Sequence, residues 1–246
     1  MSVLALNAAS LKYDNGFTAL SNVTAQFDSG SFTALVGPSG CGKSSMLRLL
    51  AGLEQPFIGS VTGLAQSNIG FVFQEPTLLD WRSVADNITL PLQIEGHHRH
   101  EIAERRDEAL ALVGLRDFAD ALPRQLSGGM KMRVSLARAL AKRPPVLLMD
   151  EPFAALDELT RFRLDDDLRA IWQQQKCTII FVTHSVTEAA YLAERALVMQ
   201  GGEIQTEIAI DQSGRGTAFR SAPAFTAACD ALSVALGHGA AAGSEA

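Results

Sequence analysis

The residues Gly37-Pro38-Ser39-Gly40-Cys41-Gly42-Lys43-Ser44 hold the densest concentration of reactive potential in the chain. They match the pattern G-x-x-x-x-G-K-[ST], preceded by an apolar run that ends at Val36 and followed by a helix-compatible run from Lys43 to Leu50. Glycines allow such a loop to turn its backbone N–H groups inward as an anion nest, and the start of a helix adds positive potential. In that setting Lys43 reaches the β- and γ-phosphates of a nucleotide and Ser44 ligates Mg²⁺. A second run, Val146-Leu147-Leu148-Met149, ends in Asp150-Glu151. Standing alone, that pair would read as a solvated acidic turn. In a chain with a phosphate loop, Asp150 is suited to the Mg²⁺ shell and Glu151 to orienting attacking water or taking its proton. The two motifs imply a nucleoside triphosphatase without fixing its type, because many such enzymes share the first of them.

These groups need a framework to hold them. Val3 to Leu6, Leu20 to Phe27 and Phe32 to Val36 read as strands, punctuated by the turn clusters Asp14-Asn15-Gly16 and Asp28-Ser29-Gly30. A Gly/Pro-punctuated segment runs through Gly63, and another strand covers Ile69 to Phe73. From Pro76 to about Pro145 the character changes: Ile102 to Leu112 and Val134 to Ala141 carry apolar residues at three- and four-residue spacing, which predicts amphipathic helices. Val146 to Met149 and Thr178 to Val182 are continuous apolar runs, separated by a charged helical stretch from Leu156 to Gln175. Continuous apolar character indicates strands covered on both faces, as in a parallel sheet flanked by helices. The layout is an α/β core with a β-rich start and a helical insertion over about 76–145. Residues 212–246 form an Ala-, Gly- and Ser-rich tail, with a weak helical pattern over Phe225 to Leu236 and an end, Gly237 to Ala246, expected to be disordered.

Composition narrows the partners. Apolar residues make up 47% of the 246 positions, enough to repay the entropy of ordering a core and to exclude wholesale disorder. Lys and Arg total 21 against 27 Asp and Glu, and the net charge of −6 argues against a nucleic-acid backbone as partner. The apolar runs fall far short of the roughly 18 to 20 residues needed to cross a bilayer. The start MSVLALNAAS lacks a basic segment followed by an apolar stretch, so a cytosolic protein is expected. Cys41, Cys177 and Cys229 are odd in number and widely spaced, which predicts reduced thiols. Gly96-His97-His98-Arg99-His100 reads as a polar loop rather than a metal site.

Four further features bear on the type of triphosphatase. Leu126-Ser127-Gly128-Gly129-Met130 sits before a helix and offers hydroxyl and N–H donors at its start. Gln74 ends the Ile69 to Phe73 strand, Ala154-Ala155-Leu156-Asp157 follows Glu151, and His184 lies just beyond Thr178 to Val182. Each has a bland alternative when taken singly: a flexible loop, a solvated glutamine, a structural histidine. In this order and spacing they resemble the nucleotide-binding subunit of ATP-binding cassette (ABC) transporters, over about Leu4 to Ile210.

That resemblance implies a P-loop NTPase core with an N-terminal antiparallel β subdomain and an inserted helical subdomain, the ATPase domain covering 1–211. It implies ATP and Mg²⁺ as cofactors. Tyr13 would stack on adenine, and Gly37, Pro38, Ser39, Gly40, Cys41, Gly42, Lys43, Ser44 and Ser45 would bind the nucleotide. Ser44, Gln74 and Asp150 would serve the metal, with Lys43, Gln74, Glu151 and His184 as the catalytic set. In that family two subunits associate head to tail, so Ser127, Gly128 and Gly129 would complete the site of a second copy or of a paralogous ATPase subunit. An integral membrane permease subunit would be driven by closure and reopening, with a solute-binding protein as an indirect partner and no nucleic acid. The chain would sit peripherally on the cytoplasmic face of the inner membrane, with Trp81 near the Gln74 loop as a candidate anchor for a partner helix.

The usual Gln after Ser-Gly-Gly is Met130 here, which removes a polar handle. Met130, the stretch Leu79 to Val84, Asn87-Ile88 and Phe153 to Arg161 are similar to the nitrate/sulfonate/taurine importer branch, although that branch more often has Pro where this chain has Asp80. An exporter or lipid-transport ATPase of similar shape stays open at this stage. A non-transport cassette acting on nucleic acid or ribosomes fits less well with one cassette and a −6 charge.

Overall fold

Three five-residue segments that the sequence reads as strands, Phe32–Val36, Val146–Asp150 and Thr178–Val182, are buried at every position. Their continuous apolar runs follow from that: a strand covered on both faces needs no polar alternation. The computed structural model of the chain describes residues 2–63, 68–211 and 219–241. In chain order the first elements are β1 (Ser2–Lys12), β2 (Thr18–Asp28), β3 (Phe32–Val36), α1 (Lys43–Leu50), β4 (Ile58–Gly63) and β5 (Ile69–Val72). Next come α2 (Val84–Ile94), α3 (Arg99–Leu112), α4 (Gly128–Leu140), β6 (Val146–Asp150) and α5 (Glu158–Gln175). The rest are β7 (Thr178–Val182), α6 (Val186–Leu192), β8 (Arg195–Gln200), β9 (Glu203–Ala209) and α7 (Pro223–Ala241).

The chain divides into two compact units, Met1–Ser67 with Thr178–Ala246, and Asn68–Cys177. In the first, β1 pairs antiparallel with β2 and with β4. β2 alternates buried and exposed residues toward its end, as expected of a sheet covered on one face. β3 runs parallel to β7, with Phe32 opposite Ile179, and parallel to β8, with Thr33 opposite Arg195. β9 returns antiparallel to β8 through Gly201-Gly202, both with positive φ, the backbone that a two-residue hairpin requires.

The tail packs on this unit. The ring of Phe219, which is buried, meets Phe225 edge-on at 5.7 Å and lies 6.2 Å from that of Tyr191, and Arg220 stacks over the Tyr191 ring at 3.5 Å. The helix expected over Phe225 to Leu236 extends over Pro223–Ala241, so the backbone from Gly237 to Ala241 is helical where disorder is expected from its small residues. Residues 212–218 and 242–246 lie outside the described residues.

In the second unit β5 runs parallel to β6, with Ile69 opposite Val146. The helices α2, α3 and α4, all within residues 76–145, share a core of Val84, Ile88, Leu92, Leu110, Val134 and Ala137 among others. Met130 packs its side chain against that core, which gives the apolar replacement in the Ser-Gly-Gly segment a physical reason.

Candidate functional site

The glycine loop occupies the turn between β3 and α1. Gly42 is the N-cap of α1 at φ 105, and a Cβ there would sit 2.5 Å from the Ala19 carbonyl oxygen, so no other residue fits without displacing backbone. At Gly37 a Cβ would meet the Met199 carbonyl oxygen at 2.2 Å. The helix starts are not alike. α2, α4, α5 and α6 are sealed by Ser83, Ser127, Asp157 and Ser185, each accepting a hydrogen bond from a first-turn N–H. α1 has no side-chain cap and no acidic residue in its first turn, a helix start whose dipole favours an anion.

Lys43 is 4% exposed. Its Nζ donates to the Gly37 and Pro38 carbonyl oxygens at 2.8 and 2.9 Å, with Cys41 Sγ at 3.9 Å. Among the described residues it has no carboxylate partner. A buried ammonium without a counter-ion is costly, by about several kcal/mol, until an anion compensates it. Burial pushes the Cys41 thiol above its ordinary value, against the pull of Lys43, so Cys41 enters the loop as a neutral group. At the end of β1, the hydroxyl of Tyr13 hydrogen-bonds Ser45 Oγ on α1 at 3.1 Å. The structure therefore brings Tyr13 to the helix that the glycine loop opens, with Phe17 exposed across the same turn.

His184 follows β7 and is exposed. The chain around it is fixed by Thr183, Ser185 and Glu188. The Thr183 hydroxyl donates to the buried Glu188 carboxylate, the Ser185 N–H donates to Thr183 Oγ1 at 3.0 Å, and the Glu188 N–H donates to Ser185 Oγ at 3.1 Å. The Ser-x-x-Glu spacing at the start of α6 is the signal that points to such a network.

In the second unit, Asp150 is buried at the end of β6, and Glu151 turns the chain at φ 47, a left-handed conformation that costs a β-carbon-bearing residue about 1 kcal/mol. The following turn closes with the Ala154 N–H donating to the Glu151 carbonyl oxygen at 3.2 Å. Asp157 then caps α5 by accepting from the Thr160 N–H at 3.0 Å, and this hydrogen bonding holds its carboxyl below the usual range. Ser127 caps α4 by accepting from the Met130 N–H at 3.3 Å, while Ser127 and Gly128 stay exposed. A Cβ at Gly129 would lie 2.7 Å from Thr160 Cγ2, so this glycine serves the close approach of α4 to the start of α5.

Gln74 is exposed in the segment between β5 and α2. That segment is held twice. Arg138 of α4 donates to the Pro76 and Thr77 carbonyl oxygens at 2.9 and 2.8 Å and to Thr77 Oγ1 at 2.9 Å. Burial draws the Arg138 guanidinium below its ordinary value. Asn87, fully buried, accepts from the Leu79 N–H at 2.7 Å and donates to the carbonyl oxygens of Leu79, Arg82 and Ser83. Trp81 projects from the stapled loop, 76% exposed. His97 is held between Glu95 at 3.3 Å and Glu101 at 2.9 Å, and Glu95 also pairs with Lys142.

Among the described residues no three His, Cys, Asp or Glu side chains gather as a metal cluster. Among the described residues no helix is long and apolar enough to cross a membrane.

An α/β fold with a glycine loop, a buried lysine and an uncapped helix start defines a P-loop nucleoside triphosphatase. The ABC transporter family model matches residues 20–154. The aliphatic sulfonates import ATP-binding protein of Pseudomonas savastanoi pv. phaseolicola is 47% identical over 184 residues, 75% of each chain. The nitrate import ATP-binding protein of a Synechocystis strain is 40% identical over 222 residues, 87% of this chain and 84% of that one. A dimeric post-hydrolysis structure of an ATP-binding cassette with ADP and Pi superposes with a TM-score of 0.75 at 32% identity, covering 85% of this chain and 99% of that one. The chain belongs to the ABC transporter family, as an ATP-binding subunit with the ATPase cassette fold.

Proposed function

We propose that this chain is the energy-coupling ATPase of a membrane importer for a small oxyanionic solute of the nitrate, sulfonate or taurine kind. The observation that carries the ATPase site is the buried Lys43 ammonium, without a carboxylate partner among the described residues, in a loop that opens an uncapped helix. The relatives named for sulfonate and nitrate import support the importer reading and the solute class.

The residue roles follow from their chemistry. Lys43 and the first-turn N–H groups of α1 hold phosphate, with Tyr13 and Ser45 on the nucleoside side. Ser44, Asp150 and Gln74 serve Mg²⁺, which when bound neutralises the developing charge on the phosphate oxygens. Glu151 orients the attacking water and accepts its proton, and His184 positions the γ-phosphate side of the reaction. Ser127, Gly128 and Gly129 present donors to the nucleotide of a second cassette, so that two chains form one ATPase around two ATP molecules. The cassette spans 1–211, and 212–246 is an accessory tail. The chain sits peripherally at the cytoplasmic face of the membrane against a permease subunit, with the exposed Trp81 as a candidate anchor for a partner helix. ATP turnover of the chain reconstituted with its co-purifying permease and solute-binding protein tests this. Turnover stimulated severalfold by nitrate or a sulfonate is expected, and stimulation by an unrelated solute alone would overturn the solute class.

A further inference from the structure

α4 carries two groups that share no motif in the sequence. At its start are Ser127, Gly128 and Gly129, and ten residues beyond Gly128 is Arg138, about 15 Å along a helix that rises ~1.5 Å per residue. The Arg138 guanidinium makes three hydrogen bonds, all to Pro76 and Thr77, two and three residues after Gln74. It has no carboxylate partner among the described residues, so its charge is spent on two backbone carbonyls and one hydroxyl. Thr77 is held at φ 47, a left-handed conformation that persists only where surroundings enforce it. The planar fork of arginine fits adjacent acceptors in a way that a lysine point charge does not. Asn87 fixes the far end of the same segment to α2, and α2 and α4 share one apolar core. Between the two staples the segment has little freedom to move without α4.

We propose that Arg138 is a positioning residue for ATP hydrolysis: it locks the turn after Gln74 to the helix that opens at Ser127, so that the two nucleotide-facing segments move as one body. This rests on the roles given above to Gln74 and to Ser127. In a dimer of cassettes, Gln74 would face one ATP and Ser127 the other, and α4 would couple the two through Arg138.

The test is steady-state ATPase kinetics of the full chain with thermal melting of each variant. Arg138→Lys is expected to lower kcat about tenfold, to leave KM within about twofold, and to bring the Hill coefficient for ATP toward one. Its melting temperature should stay within a few degrees of the parent. Thr77→Val, which removes one acceptor and leaves α4 intact, is expected to lower kcat about twofold and to add nothing further in the Arg138→Lys background. An Arg138→Lys enzyme with unchanged kcat and Hill coefficient would overturn the proposal, as would independent, multiplying effects of the two substitutions. If Arg138→Lys fails to fold, unchanged kinetics in Thr77→Val alone would overturn it. Gln74→Ala separates the two layers: unchanged turnover there removes the Gln74 role itself, whereas a loss there with normal Arg138→Lys kinetics removes only the coupling.

Discussion

The chain has two glycine-containing helix starts, and they are built for different purposes. At α1, Gly42 caps the helix without a side chain, no acid lies in the first turn, and a buried lysine has no carboxylate partner among the described residues. At α4, Ser127 closes its own helix by accepting from Met130, and the missing side chain of Gly129 is needed for packing against Thr160. The first is a self-contained anion cradle. The second is capped by its own side chain and leaves Ser127 and Gly128 exposed, which suits the proposed surface that completes another site. On the proposed reading, similar residue types at two helix starts give a site and half of a site.

The largest effect should come from emptying the cradle. Lys43→Ala is expected to weaken ATP binding by about a hundredfold or more while the fold survives, as measured by calorimetric titration. Binding within tenfold of the parent would mean that the uncapped helix alone suffices and that the lysine is structural. At the other start, Gly129→Ala should act through packing. The added Cβ meets Thr160 Cγ2 at 2.7 Å, and overpacking of this kind costs roughly 1–3 kcal/mol. Thr160→Ala, which removes the opposing methyl, should restore the melting temperature in the double variant. A Gly129→Ala chain that melts normally would remove the packing role.

The smallest effect concerns neither start. Hydrogen bonding to Glu101 and then to Glu95 raises the His97 pKa, against a desolvation effect that lowers it. A raised folded-state pKa contributes stability that is complete below about pH 6.5, the ordinary histidine value, and is lost as pH rises through the folded value. The melting-temperature difference between the parent and His97→Ala should therefore be larger at pH 6 than at pH 8.5. An equal difference at both would assign His97 a packing role only.

Much of this was legible in the residues. β3, β6 and β7 announce themselves because burial on both faces demands unbroken apolar runs, and α1 spans Lys43–Leu50 as its flanks predict. β4 was not legible: Ile58–Gly63 is largely exposed and Gly-containing, and it is a strand because β1 offers it an edge. α6 and the β8–β9 hairpin carry no chemical signal of their own, although Gly201-Gly202 marks the turn. At the site, the glycine loop, Asp150-Glu151 and His184 stand out by type and spacing. Their supports do not. Arg138 lies in Ser135-Leu136-Ala137-Arg138-Ala139-Leu140, where a charged residue reads as a solvated helix face, and only the fold shows its three bonds to Pro76 and Thr77. Glu188 and Thr183 form a buried pair that depends on the turn between β7 and α6.

The contrast between a complete cradle and half of a site meets its most direct test in the solution mass of the Glu151→Gln chain, measured by light scattering with and without ATP. Slowed hydrolysis should hold ATP in place, so the mass should rise from one chain to two on adding ATP, with one ATP bound per chain, and Lys43→Ala in the same background should abolish the shift. ATP bound at one per chain by a species that stays at the mass of a single chain would contradict it, because the site would then be complete without a second Ser127.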